Sequence, residues 1–259
     1  TMKKIITILS AALLLLTACA QHNEPVKVLA HRGNASTGSE FTTDENSLDA
    51  LRRAQERDFD GIEFDVHLTA DDQLVIHHDN KIPGTGLSCQ GSTFEEIRAH
   101  RLPFGHQIPT LREWLEQAKQ TPHILQMLEL KAHKPEREVL LITKCLEVIR
   151  ELDMVDQMYM LSFKAETLDE VLRQQPDMKT ILNSSSLHHS LTPAQVKEKG
   201  YTAASYNINV ILQHPEWIQE FKDLGIETFF WMVNSSYLYD LAGELGFTWA
   251  TTDFRDAIK

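Results

Sequence analysis

Two carboxylates stand inside a stretch whose other residues favour a buried β-strand. The stretch from Ile62 to Asp79 reads IEFDVHLTADDQLVIHHD and is rich in Ile, Val, Leu and Phe. Glu63 and Asp65 are two residues apart, so on a strand both side chains point to the same side. Because a buried carboxylate is costly without a cation or hydrogen-bond donors, something must meet these two charges.

Glu129 and Lys131 repeat this spacing in a later strand-like stretch, LELK. Three carboxylates that converge on one point would repel strongly unless a cation lay between them. Oxygen-only ligation suits Ca²⁺ or Mg²⁺ better than zinc, so Glu63, Asp65 and Glu129 are the candidate ligands of one divalent cation. The alternative is that Glu63 or Asp65 forms a structural ion pair with Arg32 or Lys131, since buried charges are usually paired.

His31 and His78 are the candidate proton-transfer pair. Histidine titrates near neutral pH, so one side chain is able to accept a proton while the other donates one. Arg32 and Lys131 are suited to hold an anion beside the metal, because a guanidinium matches phosphate geometry and an ammonium adds a point charge. Metal ligands, two cations and two histidines together indicate phosphoryl transfer.

Strand-like runs alternate with helical patterns along most of the chain. Eight strands, each followed by a helix, are typical of a single-domain (β/α)₈ barrel, the TIM barrel of the α/β class. The predicted strands are Lys27–Gly33, Gly61–Thr69, His123–Lys131, Gln157–Phe163, Lys179–Ser184, Thr202–Asn209, Glu227–Asn234 and Thr248–Asp253. An open doubly wound sheet is the alternative, but no Gly-rich nucleotide-binding fingerprint follows the first strand.

The barrel pattern is interrupted once, by an insertion at about residues 70–120 after the second strand. It contains an extra strand, Leu74–His78, a Gly-rich loop and two helical pieces. Chemistry in such barrels lies at the carboxyl ends of the strands, and the ionisable residues above are concentrated at the first three strands. We therefore predict one catalytic domain over residues 27–259.

The N-terminal residues have the pattern of an export signal. A basic start precedes an apolar run, Ile5–Leu16, which is too short for a comfortable membrane span. The run ends in LTAC, which resembles the lipobox of bacterial lipoproteins; an ordinary secretory signal is the alternative. The resemblance implies a signal peptide at residues 1–18, lipidation of Cys19, a tether over residues 19–26 and membrane anchoring. Ala20 favours the outer membrane, on its periplasmic or surface side.

The chain is acidic, with 37 Asp and Glu against 25 Lys and Arg and a net charge of −12 at pH 7. This argues against a nucleic-acid partner, whose binding depends on neutralised phosphates. Two further cysteines, Cys89 and Cys145, do not make a disulfide framework. Cys145 lies in a helical pattern and is predicted to be a buried thiol. No sequence feature indicates an oligomeric state.

Short motifs in a fixed order carry a resemblance to a known family. AHRGN follows the first strand, ENS opens the first helix, and the order continues with GIEFDVHLTADDQLVIHHD, PTL, LELK, LSF, WMVN and TTD. From about Val28 to Asp253 the chain resembles the glycerophosphodiester phosphodiesterases. The resemblance implies a (β/α)₈ barrel with a small insertion after the second strand. It also implies metal-dependent hydrolysis of glycerophosphodiesters to an alcohol and glycerol 3-phosphate.

The resemblance also assigns a role to each candidate residue. These roles are metal ligation by Glu63, Asp65 and Glu129, acid–base catalysis by His31 and His78, and phosphate contacts by Arg32 and Lys131. It selects His78 over its neighbour His77. Glu45 of ENS would lie near the site and orient Arg32 or the metal shell. Trp231 of WMVN would form an apolar wall for the glycerol moiety, although an aromatic residue in a barrel strand is more often plain core.

The same residues serve two reaction routes. In one, the neighbouring glycerol hydroxyl is the nucleophile and water then opens a cyclic phosphate; in the other, water attacks directly. Either histidine is able to act as the base. A lysophospholipase D-like activity is an alternative function, and it would need an exposed apolar patch beside the open end of the barrel that holds the active site. A catalytically silent, head-group-binding barrel is another, but such a relative would be expected to have lost a ligand or histidine.

Two loops depart from the family pattern. The segment NASTGSEFTTD between Gly33 and Glu45 is longer than the family pattern leads us to expect. After Asp79, NKIPGTGLS replaces the usual substrate loop with its Arg and Thr residues. Both loops bear on head-group preference rather than on the catalytic set.

Overall fold

The computed structural model describes residues 25–37, 40–57 and 59–258. The predicted signal peptide, Cys19 and most of the tether lie outside these residues. The strands are β1 Lys27–Ala30, β2 Ser36–Thr37, β3 Glu40–Phe41, β4 Gly61–Leu68, β5 Leu74–Ile76, β6 Leu125–Leu130, β7 Met158–Ser162, β8 Lys179–Ser184, β9 Ala203–Tyr206, β10 Glu227–Phe230 and β11 Trp249–Thr252. The α-helices are α1 Leu48–Gln55, α2 Phe94–Arg98, α3 Leu111–Ala118, α4 Pro135–Glu151, α5 Ala165–Gln174, α6 Pro193–Glu198, α7 Ile208–Gln213, α8 Trp217–Asp223 and α9 Ser236–Leu245.

Eight parallel strands close into a barrel, which confirms the predicted fold. Their order is β1, β4, β6, β7, β8, β9, β10 and β11, and β11 pairs back onto β1. In that closing pair Ala30 lies opposite Thr252, so the residues that follow them emerge side by side at the carboxyl end. Between β4 and β6, Asp65 lies opposite Glu129. The register therefore brings distant parts of the chain to one end of the barrel.

Side chains alternate between the barrel interior and the surrounding helices. On β4, Ile62 and Phe64 belong to the large core that packs against the helices, so Glu63 and Asp65 point to the other side. The interior is filled by a separate apolar layer. This layer comprises Leu29, Met127, Tyr159, Leu161, Ile181, Ala203, Phe229 and Trp249. It forms a floor beneath the polar residues at the strand ends.

The insertion after β4 packs as a small unit of its own. Strand β5 pairs antiparallel with β4, and α2 and α3 each begin with a capping box, at Thr93 and Thr110. Its apolar residues form a cluster that includes Cys89, which is free and buried. Cys145 on α4 is also free and buried, as predicted.

Several element boundaries differ from those expected from the sequence. Strand β1 ends at Ala30, because His31–Gly33 form a 3₁₀ turn. The long loop before Glu45 contains the unpredicted hairpin β2–β3. In the described part of the chain, a 3₁₀ turn, Arg255–Ile258, follows β11. None of the helices in the described part of the chain has the length and hydrophobicity needed to cross a bilayer.

Candidate active site

The turn after β1 positions His31 and Arg32. Arg32 has φ 48° and ψ 38°, a left-handed conformation that is costly for a residue with a side chain. Its backbone N–H donates to Oε2 of Glu63 at 2.9 Å, and its Nη1 donates to the two oxygens of Glu45 at 3.0 and 3.1 Å. Gly33 follows with φ 78°, and a Cβ there would lie 2.9 Å from Cη2 of Trp114. Backbone geometry and close packing both require a glycine at this position.

Glu63, Asp65 and Glu129 converge at the carboxyl ends of β4 and β6. Each offers an oxygen that lies within 4.8 Å of the other two. Oδ2 of the buried Asp65 accepts from Nδ2 of Asn46 at 2.7 Å, while Oδ1 is buried without a hydrogen bond from the described residues. Three hard oxygen donors that converge in this way fit a divalent cation of the Ca²⁺ or Mg²⁺ type.

Lys131 supplies a positive charge within this cluster. Its Nζ donates to Oε1 of Glu129 at 2.6 Å and lies 2.7 Å from Oδ1 of Asp65, an ion pair without hydrogen-bond alignment. The structural ion pair considered as an alternative therefore exists for Asp65, and Lys131 also pairs with Glu129. The guanidinium of Arg32 pairs with Glu45 instead. One ammonium does not balance three carboxylates, and the excess charge matches a divalent cation.

The pKa values of the carboxylates reflect this crowding. Burial, and then the charge of Asp65, raise the pKa of Glu63 and also that of Glu129. Burial acts in the same direction on Asp65, but the charges of Lys131 and His78 and the hydrogen bond from Asn46 together outweigh it, so the pKa of Asp65 is lowered. Without a further cation, the cluster thus favours protonation of some of its members.

His31 is held by a chain of hydrogen bonds that ends at the last barrel strand. Its Nδ1 lies 2.7 Å from Oδ1 of Asp253, whose Oδ2 accepts from Nδ2 of Asn234 at 2.9 Å. Burial alone would lower the pKa of His31, but the bond to Asp253 and the charge of Glu63 raise it above its ordinary value. With Nδ1–H donated to Asp253, Nε2 is the nitrogen left for proton exchange.

His78 has a similar partner in a more open setting. Its Nδ1 lies 2.8 Å from Oδ1 of Asp79, and burial lowers its pKa below the ordinary value. Beneath it, the buried His67 places Nε2 3.2 Å from the carbonyl oxygen of His78. Gln90 connects His67 to the carbonyl oxygen of Ala132 at 3.0 Å. Burial lowers the pKa of His67 to about 3, so this residue is a neutral support.

A cavity of about 220 Å³ opens at this end of the barrel. Its ionisable lining residues are His31, Arg32, Glu63, His78, Glu129 and Lys131. Trp231 lines the opposite, neutral side, and its indole N–H donates to the carbonyl oxygen of Ser205 at 3.3 Å. Asp65 lies fully buried in the cluster, and Glu45 binds Arg32; neither lines the cavity. His77 is buried, with Nδ1 2.7 Å from the carbonyl oxygen of Asp79.

The family model described as the glycerophosphoryl diester phosphodiesterase family matches residues 31–257. The chain belongs to this family. The match begins at His31 and includes His78, Asp253 and the three carboxylates that are the candidate metal ligands. The family resemblance seen in the motifs is thereby confirmed.

The alignments with related proteins cover most of this chain. It is 29% identical over 222 residues to a glycerophosphodiester phosphodiesterase from Caldanaerobacter subterraneus subsp. tengcongensis, which covers 80% of this chain and 85% of that protein. A glycerophosphodiester phosphodiesterase structure from Parabacteroides distasonis is 32% identical, covers 90% of this chain and 94% of its own, and has a TM-score of 0.82. A phosphodiesterase from Oleispira antarctica, in complex with the product sn-glycerol-3-phosphate, shares the fold at 22% identity, 90% and 94% coverage and a TM-score of 0.76.

Four site residues of this phosphodiesterase family member received no role from the sequence. They are Asn46, Asp79, Asn234 and Asp253. Asn46 stands in ENS, Asp79 closes HHD, Asn234 closes WMVN and Asp253 closes TTD, so the motifs contained a signal for all four. What the motifs lacked was the partner of Asn46, Asn234 and Asp253, because each of these contacts joins segments that are at least 19 positions apart in the chain.

Proposed function

We propose that the protein hydrolyses glycerophosphodiesters to an alcohol and glycerol 3-phosphate by a metal-dependent mechanism with histidine acid–base catalysis. One observation carries this proposal. The carboxylates Glu63, Asp65 and Glu129 converge at one cavity, and Glu63 and Glu129 line it together with two cationic side chains and with His31 and His78. Family membership supports the same activity, as does the product found with the Oleispira relative.

Glu63, Asp65 and Glu129 would hold one Ca²⁺ or Mg²⁺ ion. Bound there, such an ion supplies positive charge that stabilises the negative charge developing on the phosphate oxygens. Asn46 fixes Asp65 through two hydrogen bonds, of 2.7 and 3.2 Å, so the carboxylate is oriented before any ligand arrives. The backbone N–H of Arg32 similarly orients Glu63.

Arg32 and Lys131 bind the phosphate of the substrate. Both side chains line the cavity beside the carboxylates. Glu45 anchors the guanidinium of Arg32 and limits its freedom, which reduces the entropy lost when an anion binds. Lys131 remains protonated, because the charges of Asp65 and Glu129 raise its pKa against the opposing effect of burial.

The two histidines divide the proton transfers. Their surroundings move the two pKa values apart, upward for His31 and downward for His78. We assign His31, protonated and held by Asp253, as the acid that protonates the leaving alcohol. His78 is then the base that takes a proton from the nucleophile, which is either the neighbouring glycerol hydroxyl or water.

The test is release of glycerol 3-phosphate from glycerophosphocholine by the purified protein without residues 1–19. Activity should require added Ca²⁺ or Mg²⁺, disappear with EDTA, and fall at least about 100-fold in His31→Ala and in His78→Ala. His123→Ala is the matched control, since His123 is exposed ahead of β6 at the far end of the barrel. Full activity in EDTA, or in either site variant, would refute the proposal.

We also propose that the chain is an exported bacterial lipoprotein, anchored through Cys19 to the outer membrane. The LTAC sequence after the apolar run supports this. In a bacterial host, the full chain should label with a radioactive fatty acid and fractionate with membranes. Cys19→Ala should remove both properties, whereas Cys89→Ala should leave them unchanged. A soluble, unlabelled full chain would contradict the anchor.

A further inference from the structure

The cavity is chemically divided into two halves. Its ionisable residues come from the segments around β1, β4, β5 and β6. The strands β7 to β11 contribute neutral residues, among them Leu161, Phe163 and Trp231. The phosphate and the cation belong with the charges. The neutral half must therefore receive an uncharged part of the substrate.

Asn183 stands out within this neutral half. It lies at the carboxyl end of β8, lines the cavity and is only 7% exposed. Its Oδ1 is buried and has no hydrogen-bond partner among the described residues. An unpaired buried carbonyl oxygen is costly, so a group that donates a hydrogen bond to it binds more tightly than one that does not. Asn183 therefore has an unpaired hydrogen-bond acceptor at the cavity.

The position of Asn183 limits what the donor is. Ile181, two residues earlier on the same face of β8, and Leu161 belong to the apolar layer that closes the barrel. Ser205, the register partner of Asn183 on β9, and Trp231 also line the cavity. A small neutral alcohol fits this partly apolar space of about 220 Å³.

We propose that Asn183 is a specificity-determining residue that accepts a hydrogen bond from the terminal hydroxyl of the glycerol moiety. The inference rests on the proposed function and names its substrate class, the deacylated and water-soluble phosphodiesters. A lysophospholipid esterified at that hydroxyl has no proton to donate. It would leave Oδ1 unpaired. Sites that hydrogen-bond a substrate hydroxyl discriminate strongly against analogues that lack it.

The test compares glycerophosphocholine with its ether in which the terminal glycerol hydroxyl is methylated. The two share the phosphate, the head group and the neighbouring hydroxyl, so the comparison isolates the one donor. For the wild-type protein we expect kcat/KM to be at least about tenfold lower for the ether. In Asn183→Leu the value for glycerophosphocholine should fall about tenfold or more, and the ratio between the substrates should approach one.

Thr180→Val is the matched control. The Thr180 hydroxyl is also buried without a partner among the described residues, but Thr180 does not line the cavity, so the substrate ratio should stay at its wild-type value. If Asn183→Leu does not fold, the wild-type ratio decides the matter. A wild-type ratio near one, or a ratio unchanged in Asn183→Leu, overturns the inference and leaves the proposed function standing. Absence of any glycerophosphodiester hydrolysis by the wild-type protein overturns both.

Discussion

Nδ1 of His31 lies 2.7 Å from Oδ1 of Asp253, although 222 positions separate the two residues in the chain. The closing register of the barrel explains the contact, because Ala30 on β1 is paired with Thr252 on β11. The residues that follow this pair, His31 and Asp253, leave the barrel side by side. Closure of the barrel thus creates the carboxylate–histidine pair.

Removal of the Asp253 charge should change the pH dependence of catalysis. The hydrogen bond and charge of Asp253 raise the pKa of His31 against the effect of burial, and a general acid acts in its protonated form. Asp253→Asn should therefore move the alkaline limb of the kcat/KM profile to lower pH and reduce kcat by about 10-fold to 10⁴-fold. Profiles measured across the acidic and alkaline limbs test this.

Asp79→Asn serves as the counterpart, because Asp79 bonds to His78 and supports a higher pKa there, although burial lowers the pKa overall. Its loss should shift the acidic limb to lower pH and leave the alkaline limb in place. An Asp253→Asn profile whose limbs coincide with those of the wild-type protein would be inconsistent with the assigned role of His31.

Metal binding should be visible as thermal stabilisation. A ligand that binds only the folded state stabilises it by about 2.7 kcal/mol at 100 times its Kd, which corresponds to a Tm increase of about 5–10 °C for a domain of this size. Ca²⁺ or Mg²⁺ should raise the Tm of the wild-type protein but not of Glu63→Gln. The exposed Glu198→Gln should behave as the wild-type protein does. An equal Tm increase in Glu63→Gln would place the ion elsewhere.

Gly33→Ala should destabilise the fold. The new Cβ would lie 2.9 Å from Trp114 and 3.2 Å from Ala50, at a backbone φ of 78°. Overpacking and backbone strain together should lower the free energy of unfolding by about 2–4 kcal/mol, measured in urea. Gly84→Ala separates the two causes, because Gly84 has φ 72° and a Cβ there would have no neighbouring atom within 4 Å. It should cost only about 1 kcal/mol, and equal losses in both variants would rule out the packing effect.

Asp44 should hold the insertion against the long loop after β1. Its buried carboxylate accepts from the backbone N–H of Phe104 at 3.1 Å, and its Oδ2 lies 2.9 Å from Nδ1 of His106. Asp44→Ala should lower the free energy of unfolding by about 1–3 kcal/mol and speed proteolysis around residues 99–109, since it leaves partly buried donors unpaired. The exposed Asp223→Ala is the control. Unchanged proteolysis in Asp44→Ala would show that the contact does not hold the insertion.

The sequence was sufficient to predict the fold because its signals are local. Each barrel strand is a short apolar run, and each predicted run contains an observed strand, although β1, β9 and β10 end sooner than expected. The alternation of Glu63 and Asp65 with Ile62 and Phe64 also predicted correctly which side chains share a face. The hairpin β2–β3 escaped prediction, since strands of two residues have no readable periodicity.

The partners of these residues were decided by tertiary structure alone. Local pattern placed His31 and Glu129 at strand ends, but barrel closure gave His31 its partner Asp253, and the β4–β6 register set Asp65 beside Glu129. The unpaired oxygen of Asn183 is likewise visible only once eight strands surround it. Residue type and spacing determine which chemistry is available, whereas charge balance, pKa and unsatisfied hydrogen bonds depend on neighbours that only the folded barrel brings together.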